Sequence, residues 1–282
     1  MSFYLIVNTA NKNKHTLAIQ DACEKRGINL EVLDMETLDM LNLPTLTKSD
    51  ILYRVATSKK ARIVEKLLLN DDCTHIYKDT FAALSSHGGS YFHQHHLNLP
   101  VIPTVPFIPD SREQVETAVA QLGGFPLVVK VIGGSLGVGV IKVDSKEGIH
   151  SLLDYLRNKN ISTYLRKFVD HDYYVRVVVL GGKVIASHAT YSIVDEFRTN
   201  VEDPSGQRRE AVQLSPEVQE IAVLAAEAVR ADFAGIDILF DKEEHPHIAE
   251  INTPFDFMCT QNITKIDIAD QLVAFLVEKS RQ

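Results

Sequence analysis

Residues 129 to 140 read Val-Lys-Val-Ile-Gly-Gly-Ser-Leu-Gly-Val-Gly-Val, a lysine and a cluster of glycines set between apolar, β-branched segments. Gly133, Gly134 and Gly137 permit positive φ and let backbone N–H groups approach an anion, and Ser135 adds a hydroxyl donor. Lys130, on the strand entering the loop, places an ammonium within reach of a polyphosphate. The plainer account of the same residues is a glycine-rich hairpin with a solvated lysine. No Gly-Lys-Ser/Thr follows, as a P-loop requires, and the next element is a strand where a dinucleotide fingerprint needs a helix.

A second stretch, FAGIDILFDKEEHPHIAEIN at 233–252, predicts a hairpin turning within 241–246. With Phe240 opposite His247, Asp237 falls opposite Glu250, and Asn252 lies two residues on along the same face. Two facing carboxylates raise one pKa or hold a cation. With an amide oxygen beside them they form a hard-oxygen set suited to Mg²⁺. An exposed strand face with unrelated acids is the alternative. The third stretch is Glu196-Phe197-Arg198-Thr199-Asn200, where Arg198 and Asn200 could face one phosphate or lie solvated in a loop.

The elements that must position these groups alternate at first. Strands are expected at 3–7, 29–33, 51–55 and 74–77, and helices at 14–26 and 58–69, implying a parallel sheet with helices on its faces. Residues 80–96 carry His87, His93, His95 and His96, a crowd without cysteine or carboxylate neighbours at ligand spacing, so exposed histidines explain it as well as a metal does. Pro100, Pro103, Pro106 and Pro109 mark a domain crossing. A helix at 111–122 with a Ser111/Gln114 capping box, the glycine hairpin and a helix at 145–158 follow. Strands at 163–168, 173–180 and 183–191, then helices at 215–230 and 266–279, complete the chain.

The 282 residues suffice for two or three domains, and 45% hydrophobic with 23% charged residues is ordinary globular composition. A net charge of −8 without a long basic run argues against nucleic acid or a membrane surface as partner. Cys23, Cys73 and Cys259, odd in number and at no metal-like spacing, read as reduced thiols of a cytoplasmic protein.

In this order and spacing the stretches resemble the ATP-grasp carboxylate–amine ligases, specifically the branch of RimK-type glutamate ligases and LysX-type enzymes. The matching pieces are Val128-Val129-Lys130 with the glycine loop, Tyr174-Val175-Arg176, Phe197-Arg198-Thr199-Asn200, Ala234-Gly235-Ile236-Asp237-Ile238-Leu239, Glu250-Ile251-Asn252 and Ile266-Asp267-Ile268-Ala269. The resemblance implies an ATP-grasp fold, α/β and α+β, divided into an N-terminal parallel-sheet domain (1–96), a central subdomain with the glycine lid (97–165) and a C-terminal subdomain with the Mg²⁺ site (166–282). It implies ATP between the two β-rich subdomains, Lys130 on its phosphates and adenine along Arg166, Lys167, Phe168 and Val169. Asp237, Glu250 and Asn252 would hold two Mg²⁺ ions, with Mn²⁺ an alternative. Arg198 and Arg176 would neutralise the transferring phosphoryl group, and Asn200 would support the cluster.

The implied reaction activates a carboxylate as an acyl phosphate and joins it to an amine of a small molecule, peptide or carrier protein. The alternatives are a synthetase closing side-chain ester or amide links in a precursor peptide, and a non-catalytic nucleotide-binding protein. A homo-oligomer, dimer or tetramer, is expected by analogy. Four departures stand out. His87 occupies the place of the family's first phosphate lysine, with Lys78 the nearest lysine upstream. Lys167 replaces the usual adenine-contacting glutamate. Thr190 and Tyr191 replace a basic pair. Asp256, following the metal asparagine, is a candidate for meeting a substrate amine.

Overall fold

The fold is given by a computed structural model that describes residues 1–9, 14–70, 72–80, 97–107, 109, 111–132, 137–192 and 207–282. Its first unit follows from strand and helix alternating. Strands Ser2–Val7 (β1), Asn29–Asp34 (β2) and Ile51–Arg54 (β3) form a parallel sheet in the order β2-β1-β3. Helix Lys14–Glu24 (α1) packs on one face through Ile19, Ala22 and Cys23. Helix Lys59–Leu68 (α2) packs on the other through Ala61, Val64 and Leu68, and its N-terminus is capped by Ser58.

The expected fourth strand at 74–77 is not formed. Thr74 makes an isolated parallel bridge to Ile51, and Tyr77 makes an antiparallel one to Ala231. The segment changes partner within three residues, so no ladder can propagate.

The middle of the chain is an antiparallel sheet ordered β4-β7-β5-β6, from Thr104–Val105 (β4), Leu127–Val131 (β5), Val140–Val143 (β6) and Thr163–Lys167 (β7). Helices Arg112–Gln121 (α3), with the full Ser111/Gln114 capping box, and Lys146–Asn158 (α4), capped by Ser145, cover one face. Val115, Ala118, Leu127, Val129, Ile149, Leu153 and Leu165 fill the space between. Period-two alternation then puts Lys130, Lys142, Tyr164 and Arg166 on the opposite face.

The last unit is a five-stranded antiparallel sheet, β10-β9-β8-β11-β12, built from His171–Leu180 (β8), Lys183–Tyr191 (β9), Arg209–Ala211 (β10), Phe233–Asp241 (β11) and Pro246–Asn252 (β12). Gly181 and Gly182, both at positive φ, make the tight turn between β8 and β9. Helix Pro216–Ala228 (α5) starts on Ser215 and Pro216 and lays Ala222, Ala225 and Ala226 against Val175, Val177, Ile236 and Ile238. Helices Met258–Thr264 (α6) and Ile268–Lys279 (α7) close the chain, with α7 in the same core as α1 and β1. Among the described residues no helix is long and apolar enough to cross a membrane.

His75 lies in the bridge segment between the first and last units. Its Nδ1 accepts from the Tyr77 N–H, and its carbonyl accepts from Lys279 Nζ at 2.9 Å. Burial, aided by Lys279, pushes its pKa from 6.5 down to about 4. A group depressed in the folded state contributes stability that is present above its unfolded pKa and is lost as pH falls through the folded one. The urea midpoint is therefore expected to fall between pH 6.5 and 4, and His75→Asn, which keeps an acceptor but does not titrate, should flatten part of that decline. An equal decline in the variant would remove His75 from the account.

Candidate active site

The register of the five-stranded sheet sets one polar row across its exposed face. His188 of β9 pairs with Arg176 of β8, Arg176 with Asp237 of β11, and Asp237 with Glu250 of β12. The same side chains point away from α5, because their immediate neighbours along these strands, Val175, Val177, Ala189, Ile236, Ile238 and Ile251, fill the α5 core. Arg176 Nη2 donates to Asp237 Oδ2 at 2.8 Å and Nε donates to Oδ1, a two-point guanidinium–carboxylate pair. Asn252 Nδ2 donates to the same Oδ2 at 3.3 Å. Asp237 is only 1% exposed.

Burial raises the Asp237 pKa, Arg176 opposes that, and Glu250 adds to it. The facing acid Glu250 therefore adds to a rise whose main cause is burial. Arg176 is raised as well: burial alone would lower it, and Asp237 outweighs burial.

The pairing of Asp237 with Glu250 holds, but by a different route from the one the sequence suggested. At the turn Phe240 pairs with Pro246 and Leu239 with His247, one residue out of the expected register. A β-bulge at Ala249 inserts the extra residue and restores Asp237 to Glu250. Bulging frees a ladder group for other use, and the Ala249 carbonyl accepts from Arg166 Nη1 at 2.7 Å.

Arg166 thereby ties the four-stranded sheet to the edge of the five-stranded one, with its Nε also donating to Thr104 Oγ1 at 3.0 Å. Residues 168–170 join β7 of one sheet to β8 of the other. Lys167 is exposed, and its N–H is taken by the Pro103 carbonyl. Phe168 lies under Lys142 Nζ at 4.5 Å. Val169 is buried, and its carbonyl accepts from His171 Nδ1 at 2.8 Å. Lys130 is half-buried over the Tyr164 ring and is felt electrostatically at Asp237, so a cationic face of one sheet confronts the acidic row of the other.

Gly137 takes φ 75° and Gly139 φ 84°, as expected of a loop needing positive φ. At Gly139 a Cβ would stand 2.7 Å from Val131 Cβ, so only glycine fits the mouth of the hairpin. Gly133, Gly134, Ser135, Arg198 and Asn200, and the histidines 87, 93, 95 and 96, lie outside the described residues. Lys78 is bound to Glu227 of α5, on the side of the sheet away from the polar row, so it does not stand in for a phosphate lysine here. Asp256 is held by Lys14 Nζ at 2.8 Å and His15 Nε2 at 3.1 Å, and its Oδ1 caps the Met258 N–H. His188 was not singled out by sequence. The signal was there in the alternation of β9, where Ala186, His188 and Thr190 share one face.

Two carboxylates and one amide oxygen fit Mg²⁺ in donor chemistry. Among the described residues no three His, Cys, Asp or Glu side chains form a metal cluster, so such an ion needs phosphate and water oxygens to complete its shell.

Comparison with known proteins assigns the family and the fold. The model of the RimK-like ATP-grasp domain matches residues 93–276. A probable alpha-L-glutamate ligase of Coxiella burnetii is 28% identical over 173 residues, 61% of this chain and 56% of that protein. The chain thus spans little more than half the length of that relative. A protein of the same description from Aeromonas salmonicida is 25% identical over 98% of this chain and 92% of its own length. Among solved structures, the ATP-grasp ligase PsnB complexed with a minimal precursor superposes with a TM-score of 0.75 at 17% identity, over 99% of this chain and 100% of PsnB. The D-alanine–D-alanine ligase of Bacillus anthracis complexed with ATP gives 0.72 at 15% identity, over 100% and 97% of the two chains.

Gly235, beside Asp237, has Phe255 packed against it, and an added Cβ would stand 2.7 Å from the ring. The same ring lies 5.7 Å from the Arg176 guanidinium. Gly235→Ala is therefore expected to lower stability by about 1–3 kcal/mol through overpacking, read as a drop in the urea midpoint. An unchanged midpoint would mean that Phe255 moves aside without cost.

Proposed function

Because the chain belongs to the RimK-like ATP-grasp family, we propose that it is an ATP- and Mg²⁺-dependent ligase that activates a carboxylate as an acyl phosphate and joins it to an amine, releasing ADP and phosphate. The observation that carries this reading is the row Arg176, Asp237, Glu250 facing Lys130 across the gap between two sheets. A guanidinium and an ammonium there stabilise the charge that develops as a phosphoryl group moves between oxygens, the main device of phosphoryl transfer.

Asp237, Glu250 and Asn252 are the residues that would hold Mg²⁺. Bound there, the ion would supply Lewis-acid neutralisation of phosphate charge. Arg176 binds both oxygens of Asp237 and would neutralise charge on the transferring phosphoryl group from that position. Arg198 and Asn200 are assigned by family likeness to the same phosphoryl group. Lys130 orients the phosphates beneath the glycine loop of Gly133, Gly134, Ser135 and Gly137. Adenine is assigned to the crossing at Arg166, Lys167, Phe168 and Val169, where Phe168 offers an aromatic face and the backbone the polar contacts. Arg166 itself serves to hold the sheets together. The amine lone pair attacks the acyl carbon, the C–N bond forms, phosphate leaves with the electron pair of the acyl C–O bond, and the proton lost by the amine passes to that phosphate.

A second reading has support in the likeness to PsnB, one solved structure of which holds a precursor peptide. In it, both partners of the bond belong to side chains of one peptide. Mass spectrometry separates the two: ADP and phosphate release across amino acids, dipeptides and acidic peptides should yield a two-component product lighter by one water in the first case, and a single dehydrated peptide in the second.

Glu250→Gln is expected to remove turnover with the fold intact, since Glu250 is exposed. Asp237→Asn should also do so but leaves Arg176 buried without its anion, at a cost of roughly 3–5 kcal/mol. Full activity in both would sink the metal assignment. Lys130→Ala should weaken ATP binding at least tenfold by calorimetry, and near-native affinity would count against its place on the phosphates.

A further inference from the structure

Helix α2 departs from a local rule. Its first turn carries Lys59, Lys60 and Arg62 and no acid, at the end of the helix where the macrodipole favours negative charge. Lys60 has work inside the chain, donating to the Met35 carbonyl. Lys59 and Arg62 are both exposed, and among the described residues neither enters an ion pair. The one acid of α2, Glu65, is turned inward onto Arg54.

The outward face of α2 is therefore a basic row beside an apolar one. Lys59, Ile63 and Leu67 follow one another at i, i+4 and i+8, and Arg62 and Lys66 run alongside them. Ile63 is 46% and Leu67 61% exposed, while Ala61, Val64 and Leu68 hold the helix to its sheet. In a chain of net charge −8 this strip has the opposite sign to the whole.

Helix α5 offers the complement. Away from its sheet it presents Glu217 and Glu220, exposed and in no ion pair among the described residues, with Leu224, 38% exposed, one turn beyond Glu220. Val218, Ala222, Ala225 and Ala226 face the other way, into the sheet. Glu227, at the end of the stripe, is already held by Lys78. The two helices belong to different units, and among the described residues no ion pair joins them within the chain.

We propose that α2 of one copy of this chain docks on α5 of a second copy, the basic row against Glu217 and Glu220 and the pair Ile63 and Leu67 against Leu224, and that a two-fold axis repeats the contact with the roles exchanged. Charge selects this arrangement. Packing α2 on α2 would bring Lys59 and Arg62 against their own kind, and α5 on α5 would do the same with the glutamates. Only α2 on α5 neutralises both faces. Each copy carries one face of each sign, so a closed pair uses all four, and the repeat doubles the area that one helix contact brings toward the roughly 1,200–2,000 Å² of a stable interface. Arg176, Asp237 and Glu250 point away from α5, so the docking leaves the polar row open. The proposal is independent of the ligase reading.

Sedimentation equilibrium of the full chain tests it. The native protein should be a pair of chains at low salt, with a Kd that rises as salt is added, because exposed charges are screened. Lys59→Glu with Arg62→Glu, and separately Glu217→Lys with Glu220→Lys, should each raise Kd by about 100-fold or more, since like charges then face one another in both contacts. Mixed in equal amounts, the two variants should pair again, because both contacts of the mixed pair join opposite charges. That rescue also shows that neither variant has misfolded. Lys59→Gln with Arg62→Gln, which removes charge without adding repulsion, should weaken the pair to a lesser degree, and Ile63→Asn should weaken it at every salt concentration. A native monomer at low salt, or a reversed variant that still pairs as tightly as the native chain, would overturn the interface. So would a mixture that stays monomeric while both variants keep the native urea midpoint. Assemblies that grow beyond two copies would overturn the two-fold arrangement.

Discussion

The structure turns on one ion pair, Arg176 with Asp237, buried between the two central strands of the five-stranded sheet. Taking two charges out of water is costly unless geometry is good and the remaining lone pairs are satisfied. Here the guanidinium meets the carboxylate at two points, and the Asn252 amide satisfies one oxygen further. The pair survives burial only because five strands hold their register, so the sheet and the site are one construction. Any cation that approaches Asp237 must compete with the guanidinium, and a guanidinium displaced from Asp237 needs another anion. The charges that stabilise the resting sheet are thus the charges that a phosphate-bearing ligand would redistribute.

Register at this pair depends on a single extra residue. Without the bulge at Ala249, the turn pairing of Phe240 with Pro246 would continue and bring Asp237 opposite Ala249, sending Glu250 to the apolar face over α5. The bulge prevents this and turns the Ala249 carbonyl toward Arg166 of the other sheet. One irregularity therefore aligns the acids and fixes the gap between the sheets in which they face Lys130.

Most of the elements could be read from sequence because their signals are local. The Ser58, Ser111, Ser145 and Ser215 caps, the Gly181-Gly182 turn and the apolar periodicity of α5 and α7 all depend on neighbours within a few residues. The acidic pair was legible for a less secure reason: a one-residue error at the turn was cancelled by a bulge that no composition signal announced. The 74–77 segment was misread because its apolar, β-branched residues are divided between two partners, Ile51 and Ala231, far apart in sequence. Arg166 was expected along the adenine through its backbone, but the task of its guanidinium, committed to Thr104 and Ala249, contacts 62 and 83 residues away, could not be read. Lys78 likewise could be placed only once α5 was seen to hold it through Glu227. Long-range pairing decides whether a charged side chain works in a site or in the frame, and pairing of that range leaves no mark in spacing.

The segment after Asn252 extends the same dependence into the N-terminal unit. Thr253 Oγ1 donates to the Phe233 carbonyl at 3.0 Å, fixing the end of β12 to the start of β11. Phe255 then covers Gly235, and Phe257 meets the His15 ring edge-on at 4.7 Å. Between them Asp256 takes Lys14 and His15 from the first turn of α1. The exposed ion pairs in this set are worth little alone, but the aromatic contacts around them are fully packed. Asn252 is therefore anchored from both sides, by the sheet through Asp237 and by α1 through four consecutive residues of loop. Displacing α1 would pull on the residue that completes the acidic row, which makes the N-terminal sheet part of the site's geometry although it contributes no group to the row itself.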